Sequence, residues 1–403
     1  QLWVMNVDGS DRKQVATQKS DENIVDFLLS PDGKKIILVR EVDTHASIQK
    51  NPDDLPKTTG MVINDMMYKH WDHFVKTIPH PFVADFSLNK IGEEKDLLNG
   101  EPFECPMLPF SGVEELCWSP NSNNIAYSCR KKAGKAYAMS TDSDIFLYDL
   151  LTGKTINLCK PEGYTAQEYD CTVSLENQKV NENLDLNMGY DLTPKFSPDG
   201  KYVAWTSMAR DGYESDRARL CVYDMATGKK TYVTEKFESS VDSYCWDVKS
   251  RSLFFTGTWH GTTQVYNANL NGEIKKLTDG DFDFVVNHAF GNGTQLLVQR
   301  QSMSQTTELY LLDLKSRKEK NLTQLTHEND YFFENLSMGD VRERWVKTVD
   351  GKQMLCWVVC PPHFDPAKKY PTLLFCEGGP QSAVSQGWSF RWNFQLMAAK
   401  GYI

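Results

Sequence analysis

Few places in this sequence could do chemistry. Gly378 and Gly379 follow the acid Glu377 and precede Pro380, directly after the apolar run Thr372-Leu373-Leu374-Phe375-Cys376. An uninterrupted apolar run reads as a strand buried on both faces. The apolar-periodic stretch 392–399, closed by Gly401, reads as a helix. Strand, glycine loop and helix in that order open an α/β sheet. A second place is His70-Trp71-Asp72-His73, two imidazoles flanking a carboxylate. Zinc proteases carry HExxH, and no Glu follows His70, so no metal is assigned there. The adjacent acids Glu93-Glu94 fall in an outer hairpin turn, and Glu114-Glu115 lead into a strand, so neither pair reads as a ligand-holding site. No Gly-x-Ser-x-Gly pattern occurs in residues 1–403, so an activated serine is missing. His260, His288, His327 and His363 read as structural or surface residues. The ten cysteines form no CxxC and mostly sit in strand-like runs, as small buried hydrophobes do. No cofactor is implied.

The elements that must hold these residues repeat. One phrase is an apolar strand ending near Tyr-Asp, a turn, and a second strand. It begins at Trp3, Phe146, Cys221, Gln264 and Leu309, with a looser copy at Pro81. Asp8-Gly9, Thr152-Gly153, Thr227-Gly228 and Asn271-Gly272 supply the positive-φ positions of tight hairpins. The other phrase is Ser-Pro-Asp-Gly or a relative of it, followed by an apolar strand: Ser30–Gly33, Ser119–Ser122 and Ser197–Gly200, with degenerate copies near Asp247 and Phe290. Together they make a four-stranded antiparallel unit, one propeller blade. Marks at Met5, Ala84, Tyr148, Tyr223, Tyr266 and Leu312 lie 79, 64, 75, 43 and 46 residues apart. The longer gaps hold insertions: 41–80, with a short helix expected over 63–71, and 160–190, a polar surface loop. Such insertions usually emerge on one face. The expected fold is therefore an all-β propeller over 1–326, about seven blades in the parent protein with five to six represented here. Residues 327–403 follow as the start of an α/β domain, whose strand and Gly-Gly-Pro loop resemble the opening of an α/β-hydrolase domain. A β-sandwich is the other all-β reading, and the two hairpin signatures at blade spacing favour the propeller.

Lys and Arg total 44 against 54 Asp and Glu, a net charge of −10, which argues against a general nucleic-acid binder. No run of 18 apolar residues is present to form a membrane-spanning helix. The sequence opens on strand-like Gln1-Leu2-Trp3-Val4 and closes on Gly401-Tyr402-Ile403. Both ends are expected to be cuts inside folded structure, so the missing signal peptide carries no information about location.

A propeller followed by strand and Gly-Gly-Pro resembles the prolyl oligopeptidase family of serine peptidases. The dipeptidyl peptidase V and acylaminoacyl-peptidase-like branch is the nearest match. The phrases that carry it are 67–72, 209–216, 378–382 and 391–395. The resemblance implies that Gly379, with Gly378, forms the oxyanion loop, whose backbone N–H faces the developing alkoxide. Glycine leaves room for the substrate carbonyl. Many relatives carry His where this sequence has Glu377, a change beside the glycine backbone rather than in it. Ser, Asp and His of the triad would all lie downstream of this chain. By the same resemblance the parent would release dipeptides or short acyl-peptides, with the propeller gating access. Asp72 and Glu214 would be the candidate acids for the substrate's amine. Short peptides would be the partners, a homodimer through the missing hydrolase part stays open, and a periplasmic or secreted location is favoured over a cytoplasmic one. This chain alone would be inactive. The alternatives are a non-catalytic propeller scaffold that binds peptides or proteins, and a propeller-capped esterase.

Overall fold

The computed structural model describes residues 1–403 apart from 16–23, 44–47, 50–56, 58–61, 64–74, 133, 165–185, 187, 316–320 and 379–381. They form two compact units, Gln1–Thr231 and Tyr232–Ile403.

The first unit begins with a hairpin, Trp3–Val4 against Lys13–Gln14. Antiparallel meanders follow. Ile24–Leu29, Lys35–Asp43 and Thr77–Ser87 pair in chain order, and Lys90–Ile91 and Lys95–Asp96 complete that sheet on Thr77–Ser87. The next sheet is Leu116–Trp118, Asn124–Cys129, Asp144–Asp149 and Thr155–Asn157. Asp191–Phe196, Tyr202–Ser207, Arg219–Asp224 and Lys230–Tyr232 form another.

Both recurring phrases prove to be turn devices. In the first, Ser30 Oγ donates to Asp32 Oδ1 at 2.7 Å and accepts the Lys35 N–H at 2.9 Å, while the Gly33 N–H closes on the Ser30 carbonyl at 2.9 Å. Ser119 with Asn121, and Ser197 with Asp199, repeat the same bonds. In the second, Asp149 Oδ1 accepts the N–H groups of Leu151 and Thr152, and Asp224 Oδ1 those of Ala226 and Thr227. These side chains satisfy backbone donors that the turn removes from the ladder. Because each sheet is a meander, both turn devices lie at one end of it. The links between Cys129 and Asp144 and between Ser207 and Arg219 therefore leave from the other end of their own sheets.

One core joins neighbouring sheets of this unit: Ile37, Val39 and Val83 pack with Leu116, Trp118, Ile125, Tyr127, Phe146 and Tyr148. Trp118 Nε1 also donates to the Leu28 carbonyl at 3.1 Å, so the seam is fixed by a hydrogen bond as well as by apolar burial. The short helix expected over 63–71 lies outside the described residues except at its start. There, Val62–Ile63 is instead a strand paired with Ile48–Gln49.

In the second unit, Ser243–Trp246, Ser252–Trp259, Thr262–Asn269 and Ile274–Lys276 make one meander. Asp283–Phe290, Gln295–Ser302, Gln305–Asp313 and Leu322–Gln324 make the next. A parallel bridge between Thr263 and Asp283 joins them into one sheet. Val341–Lys347 and Gln353–Val359 then form the hairpin expected from Asp350-Gly351, with Gly351 at φ +82°.

The strand expected over 372–376 is not formed as such. Leu373, Leu374 and Phe375 are exposed rather than buried on both faces. A strand buried on both faces needs layers packed above and below it, and among the described residues the contacts are Ile403 along one edge and the rings of Trp392 and Phe394 against Phe375. The Ile403 contact is informative. The Ile403 N–H donates to the Pro371 carbonyl at 3.0 Å, and the Leu373 N–H donates to the Ile403 carbonyl at 2.8 Å. This alternation about Thr372 is the hydrogen-bond pattern of a parallel pair. Between the two partners runs the helix Phe394–Ala399, shorter than the expected 392–399. Asn393 Oδ1 accepts the Leu396 N–H at 2.9 Å and fixes the start as an N-cap. Gly401, at φ +90°, ends the helix as expected.

Candidate functional site

In the second unit, Glu377 and Gly378 are exposed, and among the described residues no atom lies within 4 Å of where a Cβ on Gly378 would stand. Gly379 lies outside the described residues. Ser382 Oγ donates to Glu377 Oε1 at 3.4 Å. Beyond Ser382 the segment is held by polar bonds. Ser385 Oγ donates to Asp283 Oδ2 at 2.6 Å, and the Thr263 N–H donates to the other oxygen at 2.9 Å. The Met303 N–H donates to Gln386 Oε1 at 3.3 Å, and the Trp388 N–H to Gln301 Oε1 at 3.2 Å. Burial raises the Asp283 carboxyl above its ordinary value, against the lowering effect of the donors from Ser385, Thr263 and Gln386. Sequence reading missed this set, because nothing local links Asp283 to a serine 102 residues away.

In the first unit, the 209–216 phrase folds as a stapled loop. Asp216 Oδ2 accepts the N–H groups of Ala209 and Arg210, and its Oδ1 accepts Arg210 Nη2 at 3.0 Å. Burial raises the Asp216 carboxyl, but the Arg210 guanidinium and these N–H groups outweigh it, and the net shift is downward. Asp211 Oδ1 accepts Ser140 Oγ at 2.7 Å and the Thr141 N–H at 2.8 Å. Two acids of the phrase therefore hold loops together, while Glu214 is exposed and accepts from Tyr190 Oη at 3.5 Å. Arg130 stacks 3.8 Å over the Tyr137 ring and 5.9 Å from that of Tyr190. The other candidate acid, Asp72, lies outside the described residues, as do His70 and His73.

Both acid pairs set aside in the sequence reading have structural partners. Glu94 forms a bidentate, buried pair with Arg40 at 2.6 and 2.8 Å. Glu115 is buried and accepts the Thr193 N–H at 3.1 Å. One group of metal-type donors was also missed: Asp144, Cys159 and Asp191, whose ligand atoms lie within 4.8 Å of one another. The cation already there is Lys160, whose ammonium donates to Asp144 Oδ1 at 2.7 Å and also to Asp142. This is the arrangement of a buried ion network.

The region 140–308 matches the family model for the dipeptidyl peptidase IV N-terminal region. Over its whole length the chain is 43% identical to dipeptidyl-peptidase 5 of Porphyromonas gingivalis and 42% identical to that of Porphyromonas endodontalis. The chain is thus similar, over its whole length, to dipeptidyl-peptidase 5 proteins, and its middle region is similar to the dipeptidyl peptidase IV N-terminal region. It spans 61% and 54% of the length of those two relatives. Among solved structures, Pyrococcus horikoshii acylaminoacyl peptidase matches 99% of the chain with 52% of its own, at TM-score 0.66 and 17% identity. A putative dipeptidyl aminopeptidase IV from Bacteroides ovatus matches 99% of the chain with 57% of its own, at TM-score 0.59 and 17% identity. These likenesses bear on fold: a mostly-β, propeller-type region, which agrees with the sheets described above.

Proposed function

We propose that the complete protein is a serine exopeptidase that releases dipeptides or short acyl-peptides from the N-termini of short peptides. In this reading residues 1–326 are propeller blades that gate access, and 327–403 open an α/β-hydrolase domain. The observation that carries it is the parallel pairing of 371–373 with Ile403, reached through a Gly-Gly loop and one helix. Two hydrogen bonds of the parallel kind, with a helix between the paired residues, are what the first crossover of an α/β sheet would contribute. A propeller scaffold that only bound partners would have no use for it. The 43% identity to a dipeptidyl-peptidase 5 supports a peptidase within that fold.

The roles divide accordingly. Backbone N–H groups of Gly379 and Gly378 would stabilise the oxyanion, a contribution worth a factor of about 10²–10³ in kcat per donor. The nucleophile, acid and base would come from residues outside this chain. Glu214, with Tyr190 on its carboxylate, and Asp72 are the acids proposed to receive the substrate's α-amino group.

Two measurements test this. The 1–403 chain should leave a chromogenic dipeptide uncleaved, whereas the complete protein should turn it over and be blocked by a serine-directed phosphonylating reagent. Turnover by 1–403 at a rate comparable to the complete protein would overturn the proposal. In the complete protein, Glu214→Ala should raise KM for free-amine dipeptides more than for N-blocked ones; an equal change in both would remove Glu214 from the site.

A further inference from the structure

In the first unit, the strand Asp191–Phe196 carries a backbone outlier close to Glu214. Its pairing with Tyr202–Ser207 sets Leu192 opposite Thr206 and Lys195 opposite Ala204, so two residues, Thr193 and Pro194, face the single residue Trp205. That is a β-bulge, and the extra residue decides which face the side chains before it occupy. Thr193 stands in the bulge at φ +55°. Neither its branched Cβ nor the proline after it suits that conformation, so the surrounding structure must hold it there. One hold comes from the preceding sheet. The Thr193 N–H donates at 3.1 Å to Oε2 of Glu115, in the short turn Val113–Glu115 that leads into Leu116–Trp118. Glu115 is only 1% exposed, so water does not stand in for this bond. The chain before the bulge is fastened as well. The Asp191 carbonyl accepts Ser128 Oγ at 2.6 Å and Ser143 Oγ at 3.1 Å, and the Tyr190 carbonyl accepts the Met208 N–H at 2.8 Å. Met208 opens the link that carries 209–216. Alternation along the strand then sends Asp191 inward, onto Trp205 Nε1 at 2.9 Å, and leaves Tyr190 half-buried with its Oη on Glu214 Oε1.

We infer that Glu115 is a positioning residue for Glu214: it pins the Thr193–Pro194 bulge, and the bulge sets Tyr190 on the side of the strand where its phenol meets the Glu214 carboxylate. The inference rests on the reading of Glu214 as an acid that receives the substrate's α-amino group. Without the bulge, residues 190–192 would pair one residue out of step. Tyr190 would then take the inward face that Asp191 holds, and Glu214 would lose the phenol. An exposed carboxylate grips an ammonium best when its oxygens are already aimed, and the Tyr190 phenol restricts the directions open to Glu214. Bulges beside binding sites re-aim single side chains in this way. Glu115 is buried and acts only through the strand, without meeting substrate.

The test is made in the complete protein. KM and kcat are measured for a free-amine chromogenic dipeptide and for its N-blocked form, and amide hydrogen exchange is followed across 190–196. Glu115→Ala should speed exchange there about tenfold. It should raise KM about tenfold for the free-amine substrate and less than about threefold for the blocked one, with kcat little changed. Glu115→Gln keeps an accepting oxygen for the Thr193 N–H and should bring both readings back to within about twofold of wild type. Thr193→Gly takes φ +55° without strain, so it should keep the wild-type KM and rescue Glu115→Ala when the two are combined. Tyr190→Phe leaves the bulge alone and should raise KM selectively for the free-amine substrate, which decides the matter even if Glu115→Ala fails to fold. Two results would overturn the inference while Glu214→Ala stays selective for the free amine: an equal change for both substrates in Glu115→Ala, or no change in Tyr190→Phe. If Glu214→Ala itself alters both substrates alike, the amine reading has failed and the positioning role falls with it.

Discussion

At the scale of single residues, the first unit buries several charged side chains, Arg40, Glu94, Glu115, Lys160 and Asp191 among them. Glu94 is fully buried against Arg40, and removing the acid leaves a guanidinium in the core with a lost bidentate partner. Breaking one half of such a pair costs about 3–5 kcal/mol. Glu94→Ala should therefore lower the urea midpoint of the 1–403 chain by that equivalent, while Glu93→Ala, at its exposed neighbour in sequence, should change it little. Asp191 and Glu115 make a separate prediction about pH. Burial, as the largest cause, pushes each carboxyl up to about 7; hydrogen bonds from Ser207 to Asp191 and from Thr193 to Glu115 oppose it without cancelling it. The folded state then holds protons that the unfolded chain, with carboxyls titrating near about 4, has already released. Stability from these groups is thus full below about pH 4 and lost as pH rises to about 7, on the order of 3 kcal/mol for each. Thermal unfolding between pH 5 and 8 should show a falling midpoint, and Asp191→Asn should flatten the slope by roughly half. A midpoint that rises over this interval would contradict the burial of the two acids.

At the scale of elements, the turns were the most legible part of the sequence. Ser-Pro-Asp-Gly marks a turn through residue types alone, and the structure shows why serine leads it: its hydroxyl both donates to the Asp and accepts the returning strand's N–H. Ser197→Ala loses both bonds and should cost about 1–2 kcal/mol in denaturant unfolding. Gly200→Ala, at φ +72°, should cost about 1 kcal/mol for a conformational reason alone. The run 372–376 was only half legible. Its composition announces a buried strand, but burial depends on neighbours, and composition does not say whether they are present. Cys376 reports on this directly. It is exposed, whereas Cys105, Cys129, Cys159, Cys221, Cys245 and Cys360 are buried. Burial also raises the thiols of Cys105, Cys129 and Cys159, which keeps them as unreactive neutral forms. Alkylation of the native 1–403 chain should label Cys376 well before these, and Cys376 should become protected in the complete protein if 372–376 is a core strand there. Equal labelling of Cys376 in both would count against the α/β reading.

At the scale of the whole molecule, local signals and long-range ones part company. Blade phrases are short-range, so the meanders could be read from about 45 residues at a time. The candidate site could not. Gly378 and Gly379 were found from a local motif, but the residues that hold the following segment, Asp283 and Gln301, sit in blades whose sequence shows no sign of that duty. Glu214 was named from a family phrase, and the phrase itself turned out to be mostly loop-stapling by Asp211 and Asp216. What the sequence could not show at all is how much apolar surface the segment 371–403 leaves open. Leu374, Phe390 and Leu396 are exposed by 87%, 84% and 65%, and Leu373, Phe375 and Trp392 are also exposed. Scattered exposed leucines are ordinary, but six large apolar side chains within some 25 residues of sequence, two of them, Phe375 and Trp392, in ring contact and Phe375 also against the half-buried Phe394, form a local patch of the kind that drives association. The 1–403 chain should therefore self-associate in a concentration-dependent way, visible as a rising weight-average mass in sedimentation or light scattering. Leu374→Glu combined with Leu396→Glu should suppress this without lowering the thermal midpoint, because neither side chain is buried. If the double variant associates as strongly as wild type, the association arises elsewhere and this patch is not its cause. If it unfolds instead, the two leucines are packed, and the exposure of 371–403 described above is wrong.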